Sequence, residues 1–145
     1  MNAQNYTQKS LEAIQAAQKL TIANQNQQIE QIHLLTALLQ QENGLVPQLL
    51  RKMGVTLESF EAAANAELEK LPRVTGSGRE ADKYYVARAV DTALNGAEDI
   101  AKQMKDEYVS VEHLFLSLIE NADAPLKALF RPYGITKEAC LQALQ

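Results

Sequence analysis

The apolar pattern becomes regular in LEAIQAAQKLTIA, residues 11–23, where apolar side chains fall at 11, 14, 17, 20 and 22 or 23. Steps of three and four residues line one face of a helix. Thr7 stands ahead of this stretch as an N-cap, and Ala13, Ala16 and Ala17 let a neighbour approach closely. A second helix is predicted over IHLLTALLQQ, residues 32–41, with Leu34, Leu35, Leu38 and Leu39 as its stripe. The third, VPQLLRKM, stops at Gly54, a residue suited to the left-handed conformation just beyond a helix end. The fourth starts at Thr56, whose hydroxyl is expected to cap it, with Glu58 against the positive end of the helix dipole. It runs to Leu71 and is ended by Pro72. No stretch alternates with a period of two, so the predicted class is all-α.

A shift of 80 positions lays residues 6–65 over 86–145 without a gap. Identical pairs include Ala13 with Ala93, Ala17 with Ala97, Leu34 with Leu114, Leu38 with Leu118, Gly54 with Gly134 and Thr56 with Thr136. Conservative pairs fill the spaces between them: Ile14 with Leu94, Ile29 with Val109, Leu35 with Phe115, Val55 with Ile135. The matches fall on apolar and turn positions, which is the signature of an internal duplication. The chain therefore reads as one domain over 1–145, with repeat one at 6–71, a linker at 72–83 and repeat two at 84–145. Each repeat predicts four helices, the second set beginning near Tyr85. Pro132 replaces Lys52, so the seventh helix is expected to stop early. PRVTGSGREADK, rich in Gly, Ser and charge, predicts a flexible surface linker. A repeat of this size buries a marginal core alone. Two packed about a pseudo-twofold axis share one core and leave a groove between them, a natural binding surface.

Composition narrows the function. A net charge of −4 gives no basic surplus for nucleic acid or an anionic membrane. No apolar run approaches the ~20 residues that span a bilayer. The polar start MNAQNYTQKS is expected not to be a secretory signal, and the single cysteine, Cys140, suits a reducing compartment. The expected location is the cytoplasm.

His33 and His113 are the only histidines, 80 positions apart, and so occupy one position of the repeat twice. A zinc-protease helix requires HExxH, whereas LLTA and LFLS follow the two histidines. Both are expected to be structural, near a helix start with a ring nitrogen bonded locally, and no metal is expected. Cys140 takes the repeat position of Phe60 and reads as a small core residue. Phosphate-binding glycine loops and a base-stacking aromatic platform are both absent from the sequence. The residues describe a helical binding module rather than an enzyme.

The alanine-rich helix, then [I/V]xxxHLLxALL, then LLxxxGVT, all duplicated, resembles the amino-terminal domain of the Clp unfoldase ATPases. LPRVTGSG at 71–78 and the Thr7 start resemble the protein-disaggregase branch more than the branches that serve a protease. The resemblance implies a module that engages exposed apolar segments of unfolded or aggregated client proteins. It also implies a full-length cytoplasmic hexamer with ATPase modules and a coiled coil, acting with the DnaK chaperone system. On that reading this chain is not itself an enzyme, needs no cofactor because ATP belongs to the full-length protein, and is a monomer when isolated. The alternative within the family is an adaptor-docking domain of a protease-partner ATPase. The family's client-handling polar positions match Thr7, Asp106 and Glu112, with an apolar groove that includes Leu94 and the helix start around His113. Ile32 departs from the family, which usually has Glu before the histidine, whereas Glu112 keeps it. That difference favours the second repeat as the client site.

Overall fold

The Thr7 hydroxyl accepts the Ser10 amide at 3.2 Å and so starts the first helix where the sequence places it. The structure, a computed structural model, describes residues 1–75 and 84–145. Repeat one carries α1 (Gln8–Ala23), α2 (Gln31–Gln40), α3 (Leu45–Lys52) and α4 (Leu57–Glu69). Repeat two carries α5 (Arg88–Gln103), α6 (Val111–Glu120), α7 (Ala124–Phe130) and α8 (Lys137–Leu144). Short 3-10 turns at Ala3–Asn5 and Arg131–Tyr133 complete the helical structure.

The two apolar helices, α2 and α6, lie in the centre. Every residue of α2 from Gln31 to Leu39 is buried, as are Val111 and the run from His113 to Leu118 in α6. A helix that is apolar nearly all round belongs inside a core. Phe60 of α4 stacks on Phe130 of α7 and meets Tyr133 edge-on, and Phe115 of α6 meets Phe130 edge-on, so one aromatic cluster spans both repeats.

Two short strands reveal how the repeats are joined. β1 (Gln28–Ile29) pairs in parallel with β2 (Tyr85–Val86), with Ile29 opposite Val86. The same pairing recurs as a single bridge between Tyr6 and Val109. The Ala87 amide donates to the Ile29 carbonyl at 3.1 Å, and the Thr7 amide donates to the Val109 carbonyl at 2.9 Å. Each repeat thus extends its leading segment onto the loop before the central helix of the other. This reciprocal exchange is the pseudo-twofold in hydrogen bonds. Period-two alternation cannot reveal strands this short, and the all-α class stands.

Several local expectations change. Thr56 sits at the N-cap of α4 but makes no side-chain capping bond, whereas its counterpart Thr136 accepts the Ala139 amide at 3.1 Å. α4 ends at Glu69, short of Leu71. α7 ends at Phe130 and Pro132 lies in the 3-10 turn, so the proline shortens the helix as expected. Gly54 and Gly134 both take left-handed backbone, φ 83° and 65°. The start of the expected flexible linker is fastened down: Val74 donates to the Gln25 carbonyl, and the Asn26 amide donates to the Pro72 carbonyl. The remainder of that linker, 76–83, lies outside the described residues.

Candidate functional site

His33 and His113 build the two helix starts that frame the site. Both rings are buried, at 0% and 1% exposure. His33 Nδ1 accepts the Glu30 amide at 2.8 Å, and His113 Nδ1 accepts the Ser110 amide at 2.9 Å. Each histidine therefore satisfies the N-cap amide of its own helix, the part a glutamate plays in a capping box. An Nδ1 that accepts leaves Nε2 carrying the proton. His33 Nε2 donates to Asn26 Oδ1 at 2.8 Å, and His113 Nε2 donates to Asp106 Oδ2 at 2.7 Å. With both nitrogens engaged in each ring, neither offers a lone pair to a metal. Among the described residues no group of three His, Cys, Asp or Glu is placed to hold one.

The pseudo-equivalent partners differ in charge. Burial without a facing carboxylate pushes His33 down to about 4. Asp106, in contrast, presents a carboxylate that is 46% exposed while one oxygen is held by His113. His113 thus lies beneath the surface. Its Nε2–H holds the Asp106 carboxylate from below.

Of the other expected residues, Thr7 is bonded to the loop 104–110 between α5 and α6, whereas Leu94 lies within α5 and Glu112 in the first turn of α6. Thr7 donates its amide to Val109, and Ser10 donates its hydroxyl to the same carbonyl at 2.9 Å. Tyr6 donates its phenol to Glu98 at 2.8 Å, holding the N-terminal segment against α5; burial and that carboxylate raise the phenol's pKa above its ordinary value. Leu94, half-buried, stands one turn before Glu98 on the same face of α5. Glu112, half-buried in the first turn of α6, lies near enough to α8 to add to the burial that pushes the Cys140 thiol up to about 11. Cys140 is fully buried, and that shift keeps it a thiol rather than a nucleophile. Ile32, the counterpart of Glu112, is only 3% exposed, so repeat one has turned this position inward.

Two residues escaped the sequence reading. Met104 and Tyr108 are 41% and 49% exposed, in the same loop as Asp106. Their counterparts are Asn24 and Gln28, in the amide run NQNQQ. A comparison of the two copies for polarity, rather than for identity, reveals this difference. Repeat one also covers its loop with Pro72 and Arg73, which bond Asn26 and Asn24. One loop is thus polar in its own residues and tied to the segment after α4, with Tyr85 and Val86 of the paired strand exposed beside it; the other carries its own large apolar side chains in solvent next to carboxylates.

A pseudo-twofold pair of four-helix repeats with exchanged leading strands defines a duplicated helical binding domain, and residues 5–133 match the family model described as the Clp repeat (R) N-terminal domain. The chain belongs to that family. Within it, the chain is 38% identical over 146 residues to the chaperone protein ClpB of Nitratidesulfovibrio vulgaris. That match covers 100% of this chain and 17% of the relative, so the chain spans a small part of that protein's length. The Hsp104 N-terminal domain from Candida albicans superposes with a TM-score of 0.83 at 24% identity, covering 97% of this chain and 90% of that one. A ClpV N-domain in complex with a VipB peptide superposes at 0.72 with 18% identity, covering 93% of this chain and 81% of that one. No helix among the described residues is long and apolar enough to cross a membrane.

Proposed function

We propose that this chain is the client-engaging amino-terminal module of a ClpB-type disaggregase, and that it binds exposed apolar segments of unfolded or aggregated proteins. The observation that carries this reading is the exposure of Met104 and Tyr108 beside Asp106, in the loop to which the Thr7 amide is bonded through Val109. Methionine and tyrosine suit varied clients, because one is flexible and the other combines an apolar ring with a polar tip. Such a surface needs no single shape. The carboxylates Asp106, Glu107 and Glu112 attract the basic residues that accompany apolar stretches in unfolded chains. Similarity to ClpB supports the placement in a disaggregase. On this reading the full-length protein is a cytoplasmic hexamer that supplies ATP hydrolysis and cooperation with DnaK, while the module itself takes no cofactor.

Amide shifts on titration of the labelled chain with unfolded casein test the proposal. Shifts at Leu94, Met104, Asp106, Tyr108 and Glu112 are expected. Shifts confined to repeat one would overturn the site. Binding only to folded adaptor proteins would replace client engagement with adaptor docking.

A further inference from the structure

A cavity of about 270 Å³ opens between the end of α6, α7, the 3-10 turn and the start of α8. Ile119, Phe130 and Ile135 give it an apolar floor. Lys127 and Arg131 stand at its rim, one helical turn apart and therefore on one side. Both are exposed, and among the described residues neither side chain makes an ion pair or a hydrogen bond. Thr136, the N-cap of α8, also lines the cavity and brings the positive end of that helix to its edge. The nearby carboxylate of Glu120 is neutralised by Lys137 at 2.7 Å.

We propose that this cavity is a second binding site, for a protein segment that presents a carboxylate next to an aliphatic side chain. The internal duplication separates this reading from ordinary core packing with a solvated rim. Repeat one keeps the floor, with Leu39, Leu50 and Val55 in place of Ile119, Phe130 and Ile135, because both repeats need those residues for the core. It does not keep the cationic rim. Pro47 stands in place of Lys127, Glu42 in place of the neutral Ala122, and Thr56 does not cap its helix. Folding the repeat does not require the two cations, because repeat one folds with only Arg51 at the equivalent positions. In a chain of net charge −4, a cationic rim over an apolar floor selects against the basic segments that suit the α5–α6 loop. The volume lies just under the ~300 Å³ at which drug-sized pockets begin, which suits one aliphatic side chain rather than a cofactor. An aliphatic floor also favours a carboxylate borne on a peptide over a bare inorganic anion, which has nothing to place there. The cavity adjoins the C-terminal end of α6 and the client loop its N-terminal end, about 15 Å apart by the helical rise over ten residues. One module then carries two separate surfaces.

The test uses the labelled chain and a capped hexapeptide, Gly-Ser-Leu-Glu-Ser-Gly. Progressive amide shifts at Gly134, Ile135 and Thr136 are expected, with Met104, Asp106 and Tyr108 unmoved. Replacing Glu by Gln in the peptide, or introducing Lys127→Glu with Arg131→Glu in the chain, weakens binding about tenfold. The double variant must retain the parent's thermal midpoint, which these exposed positions allow. Equal binding of the Glu and Gln peptides overturns the proposal. So do equal shifts from inorganic phosphate at the same concentration, or shifts confined to the α5–α6 loop. Client binding at Met104 and Tyr108 is read in the same spectra, so failure at one site does not count against the other.

Discussion

His33 and His113 perform one structural task with different partners, a neutral amide for His33 and a carboxylate for His113. His33 accepts a backbone amide at Nδ1, so protonation there would set two N–H groups against each other in a buried site. Unfolded, the ring takes a proton near pH 6.5, and folded only near pH 4. Its contribution to stability is therefore complete above pH 6.5 and is lost as the pH falls from 6.5 toward 4, by about 3 kcal/mol in all. Asn26→Asp copies the Asp106 arrangement and should make this loss shallower, as read from urea unfolding at pH 7 and pH 5. An unchanged slope would place the acid sensitivity elsewhere. The sequence shows that the histidines recur and lack a second ligand, and so reads them as structural. It does not show that each replaces the glutamate of a capping box, because the ring reaches the amide only once the loop before the helix is folded.

At the scale of elements, the duplication sets the packing of α5 against α6. Ser117 donates its hydroxyl to the Ala93 carbonyl, and a Cβ at Gly96 would come within 2.6 Å of that hydroxyl oxygen and 2.5 Å of the Asn121 amide nitrogen. Repeat one has Ala16 and Ala37 at the corresponding positions. Gly96 is therefore small because the Ser117 hydroxyl and the Asn121 amide bonded to it are both close, not because a turn demands glycine. Gly96→Ala should cost about 1–3 kcal/mol through overpacking, partly offset by the better helix propensity of alanine. Adding Ser117→Ala rebuilds the pair found in repeat one and should recover most of the loss, as a double-mutant cycle measures. Additive losses would show that the contact is not the cause. Helix number, order and most boundaries were legible from apolar spacing and from Thr7, Gly54, Gly134 and Pro132. The exchanged strands were not, since two residues carry no periodicity and their partners lie some 57 positions away in the chain.

Across the whole molecule, duplication makes a shared core and divergence makes the surfaces. α2 and α6 remain nearly interchangeable because both are buried, while the loops before them have separated. One is an amide loop bonded to the segment after α4; the other displays Met104 and Tyr108 beside Asp106. The sequence pointed to the second repeat through Glu112 against Ile32, and the exposed Met104 and Tyr108 lie in that repeat too. Ile32 is buried, so its position reports how repeat one packs rather than only a missing charge. Exposure of Met104 and Tyr108 could not be read from the chain, because an apolar residue after a helix end is as often buried as not until its neighbours are placed. The most direct measurement is the affinity of unfolded casein for the chain carrying Met104→Ser with Tyr108→Ser, compared with Asn24→Ser with Gln28→Ser at the equivalent positions. A loss of about tenfold or more is expected for the first pair, from two large apolar contacts removed, and no change for the second. Equal affinities for the two variants would contradict it.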